Sequence, residues 1–215
     1  MGDFFISADL GQVNDYTAIT IFEKVMKEAK TEYHLRHIER PARGTTYPKI
    51  VDRLKTITND DPLQGIEKTV VIDVTGVGRP VWDLLNSTDF DGYTLLRGIT
   101  ITGGNTITED GNIYNVPKRD LITALQVAFQ NGQIKIPRGL PEADTLIKEL
   151  TNFKVKISVS GHDSYEAWRE GVHDDIVLSA AMGVWLASQH QSTWEIDWLD
   201  EPTEHITGTW FKSGI

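Results

Sequence analysis

The stretch Thr69-Val-Val-Ile-Asp-Val-Thr-Gly-Val-Gly-Arg-Pro80 decides the fold. An apolar run without polar alternation is what a strand buried on both faces requires, and such strands sit at the centre of parallel sheets. Asp73 closes the run, and a carboxylate there is costly unless it is paired or liganded. Gly76 to Pro80 then turns the chain into a helix carrying Val81, Leu84 and Leu85, with Pro80 suited to its first turn.

Towards the N-terminus, Phe4 to Asp9, Ala18 to Val25 and Glu32 to Glu39 read as three strands joined by connections too short for crossovers, hence antiparallel neighbours. Tyr47, Ile50, Val51, Leu54 and Ile57 recur at helical spacing behind Pro48. Towards the C-terminus, Tyr93 to Ile101 reads as a strand. Gly103-Gly104 and Asp110-Gly111 read as two hairpin turns, which makes Ile99 to Val116 a ribbon projecting from the body. Helices follow behind Pro117, with Leu121, Ile122, Leu125 and Phe129 inward, and behind Pro141, with Ala143, Leu146, Ile147, Leu150 and Phe153 inward. Val155 to Val159 reads as a last strand, Gly161 to Tyr165 as a loop and Val172 to Ser188 as a closing helix. The pattern is an α/β mixed sheet: three antiparallel strands, then parallel ones, with helices on both faces.

The chain has 215 residues, 40% hydrophobic and 24% charged, which fits one ordinary globular domain. It has no cysteine, which excludes disulfides, thiolate nucleophiles and Cys-ligated metals and favours an intracellular setting. The longest uncharged apolar stretch, Ile176 to Ser188, falls short of the ~20 residues a membrane span needs. No signal peptide is legible at the N-terminus, so a soluble, cytoplasmic protein is expected. A net charge of −10 opposes tight, sequence-independent nucleic-acid binding by the chain alone. That charge is polarised, because Lys118 to Lys156 holds seven basic and four acidic residues.

Three acids fall where this arrangement converges them. Asp9 ends the first strand, Asp73 the fourth, and Asp174 with Asp175 opens the closing helix. If the first and fourth strands are parallel neighbours, Asp9 and Asp73 lie about one strand spacing, ~5 Å, apart. Carboxylates that close cannot both stay charged without a cation between them. The all-oxygen set suits a pair of Mg²⁺ or Mn²⁺ ions, which activate a water and stabilise a leaving oxygen. Each acid also has a plain structural reading: Asp9 as the start of an Asx turn, Asp73 as a paired strand end, and Asp174 or Asp175 as a helix N-cap. The apolar pattern leaves open which of the last two faces the strands.

Together Asp9-Leu-Gly, Asp73-x-Thr-Gly-Val-Gly-x-Pro, Val116-Pro-Lys-Arg-Asp-Leu-Ile, Gly132-Gln-Ile-Lys-Ile-Pro137 and His173-Asp-Asp resemble the C-terminal nuclease domain of tailed-phage large terminase subunits, over Phe4 to about Gln189. The resemblance implies a ribonuclease H-like fold with a β-hairpin near the site. It implies a two-metal endonuclease that cuts concatemeric double-stranded DNA during genome packaging in the bacterial host cytoplasm. Asp9, Asp73 and Asp174 are then catalytic, and those three with Asp175 are the metal ligands. His173 either orients a ligand or a water, or is a surface residue. Lys118, Arg119, Lys135 and Arg138 either guide phosphates to the acids or form a solvated face. An ATPase motor, a small terminase subunit and a portal protein are the implied partners, with no membrane involved.

The phosphate loop of a terminase motor, ending in Gly-Lys-Ser or Gly-Lys-Thr, is missing, so a nuclease fragment or separately encoded nuclease half is expected. Residues 1–190 form the expected nuclease domain. The expected acidic tail, 191–215, holds five acids and two tryptophans in Trp194 to Glu204 and is either a docking segment or a disordered end. Two other readings are a Holliday-junction resolvase on the same fold, and an actin-like or sugar-kinase nucleotide-binding domain. The second needs a duplicated half that 215 residues do not supply.

Overall fold

The computed structural model describes residues 3–11, 15–28, 30–76, 78–160 and 174–190. Among these residues eight strands form one sheet: β1 (Asp3–Asp9), β2 (Ala18–Lys27), β3 (Lys30–Glu39), β4 (Lys68–Asp73), β5 (Thr94–Thr102), β6 (Thr108–Asp110), β7 (Ile113–Pro117) and β8 (Ile134–Lys135). Their spatial order is β6-β7-β5-β4-β1-β2-β3-β8. The β1–β2–β3 meander is antiparallel, whereas β4 pairs with β1, β5 with β4, and β7 with β5 in parallel. The sheet is therefore mixed, and β4 lies inside it, as its apolar run requires.

Two helix layers cover the sheet. On one face α1 (Tyr47–Asn59) and α2 (Gly78–Ser87) bury Ile50, Leu54, Val81 and Leu85 against Phe4, Ile6, Ile21, Val70 and Ile72. On the other, α3 (Lys118–Gln130), α4 (Ala143–Ser160) and α5 (Asp175–Gln189) pack over Phe5, Phe22, Leu35, Val71 and Val116. Alternate residues of β1 and β4 thus serve opposite layers, which puts Phe5, Ser7 and Asp9, and likewise Val71 and Asp73, on the α5 side. Every residue of α5 from Asp175 to Ala187 is buried. A helix apolar on all sides belongs inside a domain, here wedged between α3 and the sheet. Among the described residues no helix is long and apolar enough to cross a membrane.

Three expectations need correction. Residues 155–159 continue α4 instead of forming a strand. Gly103-Gly104 is not a hairpin turn: β5 and β7 run parallel, so the chain swings out beyond the sheet edge, and only Asp110-Gly111 reverses it to pair β6 with β7. On α4, Ile147 is 51% exposed, while Glu149 is only 6% exposed. The two-residue β8, parallel to β3, lay unread inside Gly132 to Pro137.

One ion-pair cluster ties α1 to the sheet. Arg53 donates to both oxygens of Glu39, at 2.7 to 3.0 Å, and His37 lies 3.1 Å from the same carboxylate. Burial raises the Glu39 pKa, but the hydrogen bonds and charges of His37 and Arg53 outweigh it and pull it from 4.5 down to about 2. The depressed value means a contribution fully present above pH 4.5 and lost as pH falls through 2. The expected loss is about 2 kcal/mol after discounting for partial exposure. Urea titrations at pH 6 and pH 2 measure it; Glu39→Gln should lose less on acidification, and an equal loss would show that the pair contributes nothing.

Candidate functional site

The strand pairing brings the first two acids together. Ala8 stands opposite Ile72 in the parallel β1–β4 pair, so the next positions along are Asp9 and Asp73. Both side chains rise on the α5 face. Asp9 is only 8% exposed. Burial pushes its carboxyl well above the usual carboxylate range, and Asp73, Asp175 and Asp174, in that order, push the same way, with Lys118 the opposing cation. Three of the four acids named from the sequence therefore act on the fourth, the buried carboxyl of Asp9.

Asp73 is held by a local turn. Its Oδ1 accepts from the Thr75 amide at 2.7 Å, while Thr75 Oγ1 accepts from the Ile101 amide on β5 at 2.8 Å. The Asx turn thus belongs to Asp73 and fixes the chain as it leaves β4. Gly78, at the start of α2, closes that turn: an added Cβ would lie 2.0 Å from the Asp73 carbonyl oxygen.

A stripe of small residues orients the third element. Asp175, Ser179 and Gly183 recur every four residues and share one face of α5. Ser179 Oγ donates to the Ser7 carbonyl at 2.8 Å and joins Thr20 Oγ1 at 3.0 Å, which in turn meets Ser7 Oγ at 2.8 Å. A Cβ on Gly183 would stand 2.7 Å from Ser7 Oγ. The stripe therefore lies directly on β1, with Asp175 at its upper end beside Asp9. Asp174, one residue and about 100° round the helix, turns towards α3, where Lys118 Nζ donates to its Oδ2 at 3.2 Å. This is why Asp175, 7% exposed, acts on Asp9 more strongly than Asp174 does. The Asp175-x₃-Ser179-x₃-Gly183 spacing was the signal that distinguishes the two.

Two participants were not read from the sequence. Arg40, just beyond β3, donates to Asp175 Oδ2 at 3.3 Å. Its guanidinium lies 4.0 Å from the centre of the Tyr16 ring, and that of Arg43 lies 4.2 Å from the same centre. Glu149, from α4, accepts the Ile176 and Val177 amides on its Oε2 at 3.1 and 3.2 Å. Burial pushes the Glu149 carboxyl up to about 7 against these amides and Arg40, with Asp175 adding to the rise. Glu149 Oε1 and Arg40 Nε are buried without a hydrogen-bond partner among the described residues.

The expected basic stretch is not one patch. Lys118 is at the acids. Arg119 pairs with its neighbour Asp120 at 3.3 Å. Lys135 stands beside His34 and pairs with Glu32. That is about five strand residues, roughly 17 Å, from the Glu39 end of β3 where the acids gather. Arg138 is exposed in the loop after β8. His173 and the acidic tail 191–215 lie outside the described residues.

Among the described residues no three His, Asp or Glu side chains are gathered tightly enough to grip an ion as they stand. Asp174 and Asp175 are drawn instead onto Lys118 and Arg40. The donor set nonetheless fits a hard cation: all ligands are carboxylate oxygens, their charge converges on a buried position, and the local cations number fewer than the acids.

Comparisons with known proteins match the fold. The large terminase subunit of Thermus phage G20c is 27% identical over 179 residues, which is 83% of this chain but 30% of that protein. The chain thus spans about a third of the length of this curated relative. Among solved structures, the large terminase nuclease from thermophilic phage G20c superposes with a TM-score of 0.55 at 21% identity, covering 88% of this chain and 83% of that one. The Mn-soaked, inhibitor-bound terminase nuclease domain of human cytomegalovirus gives 0.50 at 11%, covering 85% and 82%. The model of the terminase RNaseH-like domain family matches residues 6–183. With this mixed sheet, its two helix layers and one family match covering most of the sequence, the chain belongs to the terminase RNaseH-like domain family.

Proposed function

We propose that this domain is a divalent-cation-dependent DNA endonuclease that cuts concatemeric viral DNA during packaging. The observation that carries the reading is Asp9: a carboxyl buried among three further acids, in a pocket whose charge a divalent cation would neutralise. Asp9, Asp73 and Asp175 would hold the cations, with Asp174 at the rim. Two Mg²⁺ or Mn²⁺ ions there would supply activation of a water and neutralisation of the leaving oxygen. The Mn-soaked viral nuclease domain supports the choice of ion.

The chain's own residues do the rest. Asp73, fixed by its turn, and Asp175, fixed by the stripe on β1, hold their carboxylates in place without rearrangement of the backbone. Lys118 and Arg40, the cations that neutralise Asp174 and Asp175, would be the positive groups of the site available to the phosphates flanking the cut. Delivery of the DNA falls to partners, because the chain carries −10. An ATPase motor, a small subunit and a portal are the partners proposed on the strength of the longer large-subunit relative.

The test is nicking of supercoiled plasmid. Mn²⁺ or Mg²⁺ should support cutting, and EDTA should reduce it to background. Cutting that persists in EDTA, or that neither metal supports while calorimetry finds no Mn²⁺ binding, would overturn the reading. Linear duplex should be cut at least as well as a four-way junction; a marked junction preference would favour branch resolution instead.

A further inference from the structure

We propose that Glu149 is the positioning residue of the site: it caps α5 from outside the helix and thereby leaves Asp174 and Asp175 to face the pocket. The inference rests on the nuclease reading above for its functional consequence, and on geometry for its structural one.

A helix begins with amides that have no partner within it, and an N-cap aspartate ordinarily bends back to accept them. Asp174 occupies the N-cap position of α5, yet its side chain makes no cap hydrogen bond. Its Oδ2 instead accepts from Lys118, away from the helix. The amides it would have taken, of Ile176 and Val177, are both held by Glu149 Oε2. Glu149 reaches them from α4, 27 residues earlier in the chain. It is 6% exposed, whereas Ile147 two residues before it is exposed, the reverse of what hydrophobicity alone favours. Burying a carboxylate in place of an aliphatic side chain is unfavourable unless its hydrogen bonds are needed.

The alternative cap shows what Glu149 prevents. With the two amides left open, Asp174 is the nearest acceptor along the chain, and a swing of its ψ from 17° into the extended range of an ordinary N-cap would bring its carboxylate to them. Turning back would take Asp174 off Lys118, rotate the first turn of α5 and carry Asp175 away from Asp9. Groups that orient metal ligands from behind typically govern affinity by about 10- to 100-fold.

Three variants separate reach from charge. Glu149→Gln keeps the length and an acceptor oxygen; Glu149→Asp keeps the charge but is one methylene too short; Glu149→Ala has neither. Calorimetry with Mn²⁺, well below each protein's melting temperature, should show affinity within about threefold of wild type for Glu149→Gln and at least tenfold weaker for Glu149→Asp and Glu149→Ala. A metal-free crystal structure of Glu149→Asp or Glu149→Ala should show the Asp174 carboxylate on the Ile176 or Val177 amide. Wild-type affinity in both shortened variants, or an undisturbed Asp174–Lys118 pair in that crystal, would overturn the proposal. If wild type itself binds no Mn²⁺, the nuclease reading fails, and the crystal structure still decides the role of Glu149.

Discussion

An Asp9→Asn protein is expected to nick plasmid DNA about a thousandfold more slowly than wild type while melting at the same temperature or higher when metal-free. The two halves of that result have one cause. Asparagine keeps the shape and the buried position but removes the charge that burial and the three neighbouring acids oppose. A bound cation would lose a ligand at a buried position of the site, and several kcal/mol of transition-state stabilisation lost corresponds to about three decades in rate. The folded protein meanwhile sheds a like-charge cost. Because the Asp9 pKa is raised on folding, the native state binds the proton more tightly than the unfolded chain does. Wild-type stability should therefore fall as pH rises from the ordinary carboxylate range through the raised value, and stay lowered above it. Asp9→Asn should flatten that fall, and should also lose the rise in melting temperature that Mn²⁺ gives wild type. Nicking near the wild-type rate, or a large drop in metal-free melting temperature, would mean that Asp9 is a structural acid.

The second large effect is expected at a residue with no side chain. Gly78→Ala places a methyl group 2.0 Å from the carbonyl oxygen of Asp73 and 2.8 Å from its carbonyl carbon. Those atoms are backbone at the end of a central strand and cannot swing aside as a side-chain tip would. Overpacking of this kind costs about 3 kcal/mol or more. The strand end that must yield also carries the Asp73 carboxylate, and a 1 Å displacement of a reacting group costs about a hundredfold in rate. Gly92→Ala is the control, since a Cβ there meets nothing within 4 Å. Urea unfolding and the plasmid assay on both proteins check it; a Gly78→Ala protein as stable as Gly92→Ala would refute the packing argument.

Much of the sheet was legible because its signals are local. The apolar run ending at Asp73 placed β4 at the centre, and the short connections around Gly11 and Lys27 made the first three strands a meander. What depended on distant contacts was not. Val155 to Val159 has the β-branched composition of a strand, yet it continues a helix already under way from Ala143. Ile147 lost its inward place to Glu149 because the open amides of α5 needed an acceptor more than the layer needed another aliphatic group. Lys135 shares a basic stretch with Lys118 but is carried by β8 to the middle of β3, beside His34 and five residues from the Glu39 end. Arg40 gives no sign in Ile-Glu-Arg-Pro of the acid it meets 135 residues later. Asp174 and Asp175 open the same helix, and that Asp175 is the one on the β1 side follows from the stripe through Ser179 and Gly183, whose contact with β1 the sequence does not show.

That α5 is both the filling of one layer and the bearer of Asp175, with Asp174 as its N-cap, has a consequence for synthesis. A ribosome that has delivered the chain as far as α4 has made Asp9, Asp73 and Glu149, but the slot over Phe5, Ser7 and Phe22 is still open to water, and the amides that Glu149 will hold do not yet exist. The nascent polypeptide therefore cannot assemble the acidic pocket ahead of its hydrophobic interior. Maturation of the fold and arming of the chemistry arrive with the same fifteen residues.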